Sequence, residues 1–143
     1  MQLKINILPA FSNECCIEFK QQGDFIDLII ILSAYTEMQD SGRSYYQRIQ
    51  DKKVLNAFVQ HLFRMVDKPT PITEITINDG MLVKITYTNG DKLIDYQLIS
   101  IQKDSIEIAF LHALFDYCVV LLREESLGAY FEGIKRDFLS KMV

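Results

Sequence analysis

The residues best suited to acid–base chemistry stand on one predicted helix. His112 and Asp116 are four residues apart, and Arg123 follows near the same helical azimuth. An aspartate at this spacing can fix the tautomer of a histidine that acts as a general base. The same residues also fit the polar stripe of a helix that is otherwise buried. We favour this structural interpretation, because no nucleophile accompanies the pair.

Metal ligands and activated nucleophiles are sparse. His61 and His112 are the only histidines, and no Cys-x-x-Cys or His-Glu-x-x-His spacing occurs, so no metal site is predicted. Phosphate-binding glycine motifs and the Gly-x-Ser-x-Gly turn are absent as well. Cys118 falls on an apolar helical stripe, where a thiol is an inert part of the core. We therefore expect no metal and no cofactor, and we favour a chain that is not an enzyme.

The amino-acid composition limits the classes of protein to which the chain could belong. The chain has 143 residues, of which 49% are hydrophobic and 24% charged, and its formal net charge is −4. These values are typical of one folded domain with its own core. The acidic balance and the scattered lysines and arginines argue against nucleic-acid binding. No apolar run is long enough to cross a membrane. The three cysteines, two of them adjacent, indicate a reduced, cytoplasmic chain.

A glycine turn organises the strands of the second half. Asn89-Gly90 stands between two apolar alternations, which is a strong hairpin signal. With these two residues as the loop, Lys84 faces Asp95 across the hairpin and the apolar residues share one face. A preceding strand extends the hairpin to a three-stranded antiparallel meander over residues 72–99.

The N-terminal half repeats this layout. Gln22-Gly23 is predicted to be the loop of a second hairpin, which sets Phe19 opposite Ile26. The isoleucine-rich stretch after the turn favours a third strand. A helix over residues 24–38 is the alternative, since the apolar pattern alone does not exclude it.

Three helices complete the prediction. The first covers residues 51–67 with one apolar stripe. The second opens with Asp104 as its N-cap, and the third covers residues 126–142. The apolar stripes of the last two lie on nearly opposite sides, so a break is expected near residues 123–126. The predicted fold is α+β over residues 1–143: antiparallel β-meanders with three helices packed on the apolar face, in the order βββ-α-βββ-αα.

Two surfaces are predicted to bind a partner. The first is the outward side of the 72–99 meander, whose side chains include Glu74, Leu82, Lys84, Leu93 and Asp95. Its two leucines are not needed for the core. The carboxylates on or beside it would attract a basic partner; they are Glu74, Asp79, Asp91 and Asp95. The second is the loop around Arg43–Tyr46, at the end of the turn-rich stretch Met38–Ser44, where Tyr45 and Tyr46 offer aromatic anchors. The alternatives are that a helix covers the meander and that the tyrosines pack under their own loop.

Three hypotheses of function remain open at this level. In size, acidity and lack of catalytic motifs, the chain resembles small bacterial accessory domains, including immunity proteins that neutralise toxins. That resemblance implies a protein-binding module, and no residue carries over from it. The second hypothesis is a small enzyme or ligand-binding domain that uses His112 and Asp116 in a cleft. The third is a subunit that forms homo-oligomers through a sheet edge. A neighbouring toxin gene would favour the first hypothesis, and a metabolic operon the second.

Overall fold

The computed structural model describes residues 1–9, 13–34, 42–69, 81–98, 105–123 and 125–139. Within these residues the chain forms six strands and three α-helices, the last of which continues into a π-helical turn. The elements are β1 (Gln2–Pro9), β2 (Cys15–Gln22), β3 (Phe25–Leu32), β4 (Arg43–Ile49), α1 (Lys52–Asp67), β5 (Met81–Asn89), β6 (Lys92–Leu98), α2 (Ile106–Leu121), α3 (Ser126–Ile134) and the π-helical turn (Lys135–Leu139).

The predicted α+β class and the antiparallel sheet are confirmed. Residues 25–32 form a strand rather than a helix, and α1 lies where the first helix was predicted. The order differs by one strand, β4, in a segment that we predicted to be a loop. The first strand predicted for the meander, at residues 72–80, lies outside the described residues.

One six-stranded antiparallel sheet has the order β4-β3-β2-β1-β5-β6. β1 lies inside the sheet, because Ile5 pairs with Ile17 of β2 on one side and with Ile85 of β5 on the other. Burial alternates along the strands, as expected when one side of a sheet is covered. We call the buried side, which carries Leu3 and Ile7, the inner face and the opposite side the outer face.

The predicted register of the β5–β6 hairpin is wrong by two residues. The loop is Gly90-Asp91, and Lys84 pairs with Gln97 instead of Asp95. The apolar residues nevertheless stay on one face, because a shift of two residues returns each side chain to the same side.

The β2–β3 hairpin differs from its prediction in the same way. Its loop is Gly23-Asp24, and Phe19 pairs with Leu28 instead of Ile26. Both loops therefore begin with a glycine, in the local sequences QGDF and NGDK.

The glycine conformation explains both registers. Gly23 and Gly90 each have φ of 60°, a left-handed conformation that glycine adopts without steric cost. Tight hairpin loops require this conformation at their first central residue. Apolar alternation cannot distinguish the two registers, so the turn decides between them.

The chain divides into two compact units, Met1–Val59 with Gly80–Ile99 and Gln60–Asp79 with Ser100–Val143. The first contains the sheet and the first part of α1, whose Phe58 ring lies 5.8 Å from the Phe19 ring of the inner face. The boundary falls within α1. That one domain spans residues 1–143 stays a prediction.

The second unit has an aromatic core on α2 and α3. Phe115 and Phe131 are fully buried, with ring centroids 6.0 Å apart. Ser105 is the N-cap of α2 and accepts a hydrogen bond from the Ile108 amide. The predicted N-cap, Asp104, lies outside the described residues, and the side chain that closes the first turn is one residue later.

The break predicted between the last two helices is confirmed. Leu122 caps the end of α2, and α3 begins at Ser126. The third helix was predicted to reach residue 142. Its α-helical part ends at Ile134, and the π-helical turn follows.

Candidate functional site

A charged cluster lies on the outer face where β3 meets β4. The Tyr46 hydroxyl donates to Oδ1 of Asp27 at 2.7 Å, and Nε of Arg48 donates to the same oxygen at 3.0 Å. The strand pairing sets Arg48 opposite Asp27 and Tyr46 opposite Ile29. The Asp27 side chain is 13% exposed, while that of Arg48 is 53% exposed. The carboxylate is thus enclosed by two side chains that themselves face solvent.

The electrostatics of this cluster fix its protonation. The hydrogen bond from Tyr46, and next the one from Arg48, lower the pKa of Asp27 below its ordinary value. The bond to Asp27 raises the pKa of Tyr46 and also that of Arg48. At neutral pH the carboxylate and guanidinium are charged and the phenol keeps its proton. The arrangement stabilises fixed charges and makes Tyr46 a poorer acid and nucleophile.

Large apolar side chains surround the cluster. The Arg48 guanidinium lies over the Phe25 ring, 5.2 Å from its centroid, in a cation–π contact. Phe25 is 38% exposed, Ile31 49% and Tyr46 57%. We define the β3–β4 patch as the outward side chains Phe25, Asp27, Ile29, Ile31, Tyr46 and Arg48. Exposed aromatic and arginine side chains of this kind supply most of the binding energy in protein interfaces.

Tyr45 and Tyr46, predicted together as anchors, point to opposite sides of the sheet. Tyr46 belongs to the β3–β4 patch, whereas Tyr45 pairs with Ile30 on the inner side and donates to Oε1 of Gln47. The prediction of a loop at Arg43–Tyr46 is wrong, because these residues begin β4. β4 is the outermost strand on this side of the described sheet.

The outward residues predicted for the meander lie on the same outer face. Leu93 is 61% exposed, and Lys84 and Asp95 are exposed as well. Leu82 is half-buried and pairs with Leu8 of β1. Glu74 lies outside the described residues.

A single row of paired residues crosses the whole outer face. In strand order it consists of Tyr46, Ile29, Glu18, Lys4, Thr86 and Asp95. The two ends of the row are five strand spacings apart, which is about 24 Å. The two surfaces predicted from the sequence therefore share one face but occupy its opposite edges.

His112, Asp116 and Arg123, which the sequence places on one helix, have separate environments in the described part of the chain. Asp116 forms its ion pair with Lys135 of the π-helical turn. Nε2 of His112 is buried and has no hydrogen-bond partner among the described residues, and Arg123 is exposed beyond the end of α2. Within the described part of the chain, Asp116 is therefore paired with Lys135 and not with His112.

The His61 ring is held by a hydrogen bond and an aromatic contact, which indicates a structural role. Its Nε2 donates to the Ile106 carbonyl at 3.1 Å, and its ring meets the Phe110 ring edge-on at 5.4 Å. Burial lowers the pKa of His61, which the hydrogen bond to Ile106 only partly offsets. The neutral ring is thus the form that the folded chain prefers.

Acidification is expected to destabilise the chain through His61. Because the folded pKa is lower than the unfolded value of about 6.5, the unfolded chain binds protons more readily. Stability present above that pH is therefore lost as the pH falls below it. Urea unfolding between about pH 7.5 and 5.5 should show a smaller loss for His61→Gln, which keeps a donor for Ile106. An undiminished loss in His61→Gln would contradict the assignment.

The three cysteines differ in accessibility. Cys118 is fully buried, as predicted, and burial raises the pKa of its thiol to about 12. Cys15 is buried on the inner face, and Cys16 is half-buried on the outer face. Burial raises the pKa of Cys16 too, although Lys4 partly opposes this.

Native thiol labelling should follow this order of burial. Cys16 is expected to react first, and Cys15 and Cys118 only after the chain unfolds, because a buried thiol is neither ionised nor accessible. Mass spectrometry of peptides from chain treated with iodoacetamide would measure each site. Cys16→Ser is the control in which native labelling should almost disappear. Labelling of Cys118 as fast as that of Cys16 would show that α2 opens readily.

Other classes of site find little support. In the described ranges, no three His, Cys, Asp or Glu side chains are grouped so that they could hold a metal ion. A search of the same ranges finds no helix with the length and hydrophobicity to cross a membrane. No protein-family model matches the sequence, and no curated protein is similar to it. Functional inference therefore rests on the geometry of the chain itself.

Proposed function

We propose that the chain is a protein-binding module without catalytic activity, and that the β3–β4 patch is the centre of its binding surface. The observation that carries this proposal is the hydrogen-bonded cluster of Asp27, Tyr46 and Arg48 beside the exposed Phe25 and Ile31. The inner face buries its own apolar residues without them. Their exposed area is therefore available to another molecule.

Preorganisation supports the same proposal. Tyr46 and Arg48 are both tied to one carboxylate oxygen, and Arg48 also rests on Phe25. Binding normally costs the ordering of flexible interface side chains, and this cost is reduced when they are held in place beforehand. A tyrosine and an arginine held in this way are favourable anchors for a partner.

The size of the outer face is suitable for one partner. It is about 24 Å across the strands. Its strands have seven to nine residues, which corresponds to lengths of about 23–30 Å. A specific complex buries about 800 Å² on each partner. The outer face, with the β3–β4 patch at one edge, is of comparable extent.

In its narrowest form, the proposal is an inhibitor of the immunity or antitoxin type that acts in the cytoplasm. The patch supplies a physical basis for capture, and the size and acidity of the chain resemble those of such proteins. The partner would then be a toxin encoded near this gene.

Co-expression tests this proposal directly. Each neighbouring gene is expressed alone and with the chain, and growth and complex formation are measured. We expect one product to be toxic alone, tolerated with the chain, and bound to it in size-exclusion chromatography. Tyr46→Asp should abolish rescue while the circular dichroism spectrum stays native. Val120→Asp, which places the same charge on an exposed apolar position of α2 and not on the sheet, is the matched control. The proposal fails if no neighbour binds, or if Tyr46→Asp rescues fully.

A further inference from the structure

We infer that the β3–β4 patch recognises an extended partner segment that places a carboxylate two residues from a large apolar side chain. This inference rests on the proposed protein-binding function and adds the chemical character of the partner. Arg48 would bind the carboxylate, and the apolar side chain would lie on Phe25 or Ile29.

Arg48 has N–H donors that the hydrogen bond to Asp27 does not use. Of its five N–H donors, the one on Nε binds Asp27. Asp27 is the only carboxylate paired with Arg48 in the part of the chain that the structure describes. About half of the side chain is exposed, and the guanidinium carbon lies 5.2 Å from the centroid of the Phe25 ring. The terminal nitrogens can therefore form the paired hydrogen bonds that arginine makes with a carboxylate.

The local charge favours an anionic ligand. On the outward side of β1 to β4, the charged side chains are Lys4, Lys20 and Arg48 against Glu18 and Asp27. These five side chains carry a net charge of +1, and Lys20 lies opposite Asp27 on β2. The chain as a whole has a net charge of −4. This part of its surface therefore differs in sign from the rest.

The β3–β4 patch lies far from the carboxylates on which the prediction of a basic partner is based. Asp91 and Asp95 belong to the β5–β6 edge of the sheet, about 24 Å from β4. The Debye length at physiological salt is about 8 Å, so their effect at Arg48 is screened. Glu74 and Asp79 lie outside the described residues. A basic partner would have to bind the opposite edge of the outer face.

The distance between outward side chains along β3 determines how far apart the carboxylate and the apolar side chain lie in the ligand. Phe25, Asp27, Ile29 and Ile31 all point outward from alternate positions. Successive outward side chains on a strand are about 6.7 Å apart, so apolar surface begins one such step on either side of Asp27. An extended ligand has the same repeat. A carboxylate at Arg48 therefore places the ligand residue two positions away over an apolar part of the patch.

Selection of displayed peptides tests the inference without knowledge of the natural partner. A phage-displayed library of random linear peptides is selected against the intact chain, with the Arg48→Gln, Lys20→Gln double variant used for counter-selection. We expect enriched peptides to carry Asp or Glu two positions from Phe, Leu, Ile or Tyr. Enrichment of Lys or Arg instead, or the recovery of no binding peptide, would overturn the inference.

Affinities of one selected peptide then test the role of Arg48. Arg48→Gln should weaken binding by about tenfold to a hundredfold, as expected for loss of a hydrogen bond between charged groups. Arg48→Lys should recover only part of this, since lysine lacks the planar fork. Lys68→Gln, an exposed lysine one residue beyond the end of α1, is the matched control and should change the affinity little. Unchanged affinity in Arg48→Gln would also overturn the inference.

The two proposals can fail separately. If the peptides show the expected pattern but no neighbouring gene product binds, the immunity-type form of the proposed function fails and the ligand chemistry stands. If a neighbouring product binds through Tyr46 but the peptides are basic, the ligand chemistry fails and the protein-binding function stands.

Discussion

Replacing Gly128 with alanine is expected to lower the free energy of unfolding by about 1–3 kcal/mol, although alanine is the better helix former. Gly128 is buried in the first turns of α3, and a Cβ atom there would lie 2.5 Å from the Leu122 carbonyl oxygen. That oxygen accepts a hydrogen bond from the Glu125 amide at 2.9 Å. The Leu122 oxygen therefore cannot move away from a new Cβ atom unless the connection between α2 and α3 changes its conformation.

Gly133 provides the matched control on the same helix. A Cβ atom there would meet only the Arg136 side chain, at 3.7 Å, which is an ordinary contact. Gly133→Ala should therefore raise the free energy of unfolding by up to about 1 kcal/mol. Urea denaturation of both variants measures the difference. Equal stabilisation by the two substitutions would show that the connection between α2 and α3 does not require the close approach of Leu122 to Gly128.

The strands could be predicted because burial on one side of a sheet imposes an alternating pattern. The registers of both hairpins could not, because shifts of two residues preserve that pattern. Gly23 and Gly90 occupy the first loop position, where we had placed them second. The sequences QGDF and NGDK fit either arrangement of two loop residues.

β4 was missed for a different reason. It follows a turn-rich stretch, and only Tyr45, Tyr46 and Ile49 are apolar or aromatic among its seven residues. As the outermost described strand it buries little on either face, so its sequence carries almost no alternation. Its existence depends on pairing with β3, which is a non-local interaction.

The candidate site could be predicted only in part. Tyr46 was identified because an aromatic residue stood outside any apolar pattern. Asp27 and Arg48 were missed because they are 21 residues apart and meet only across the β3–β4 pair. One signal was present: a carboxylate within the apolar run FIDLIIIL needs a partner if the strand is partly buried.

His112 and Asp116 illustrate a limit of helical spacing as a signal. Their spacing places them on one side of a helix, as the sequence indicates. Helical spacing does not reveal competing partners, however, and Lys135, 19 residues beyond Asp116, forms the ion pair instead. Local patterns therefore predicted proximity correctly but not the hydrogen-bonded arrangement on which function would depend.

Gly42→Ala is expected to have the largest effect, about 2–4 kcal/mol of lost stability. Gly42 has φ of 82°, and a Cβ atom there would lie 2.9 Å from the Leu32 carbonyl oxygen and 3.0 Å from the Ala34 amide nitrogen. Alanine therefore meets two costs, an unfavourable backbone conformation and a collision with the backbone that follows β3. The residue immediately precedes β4, so the strain should be relieved by displacing that strand.

The local consequence distinguishes this prediction from a general loss of stability. Amide hydrogen exchange should accelerate across β4 in Gly42→Ala, and the Tyr46–Asp27 hydrogen bond should weaken although neither residue is changed. Gly23→Ala is the control, because Gly23 has a similar left-handed φ but nothing within 4 Å of its Cβ position. It should cost only about 1–2 kcal/mol and leave exchange in β4 unaltered.

If the β3–β4 patch binds the partner, Gly42→Ala should lose binding while Gly23→Ala keeps it. Native exchange rates across β4 in Gly42→Ala would show that this glycine does not hold the strand against β3.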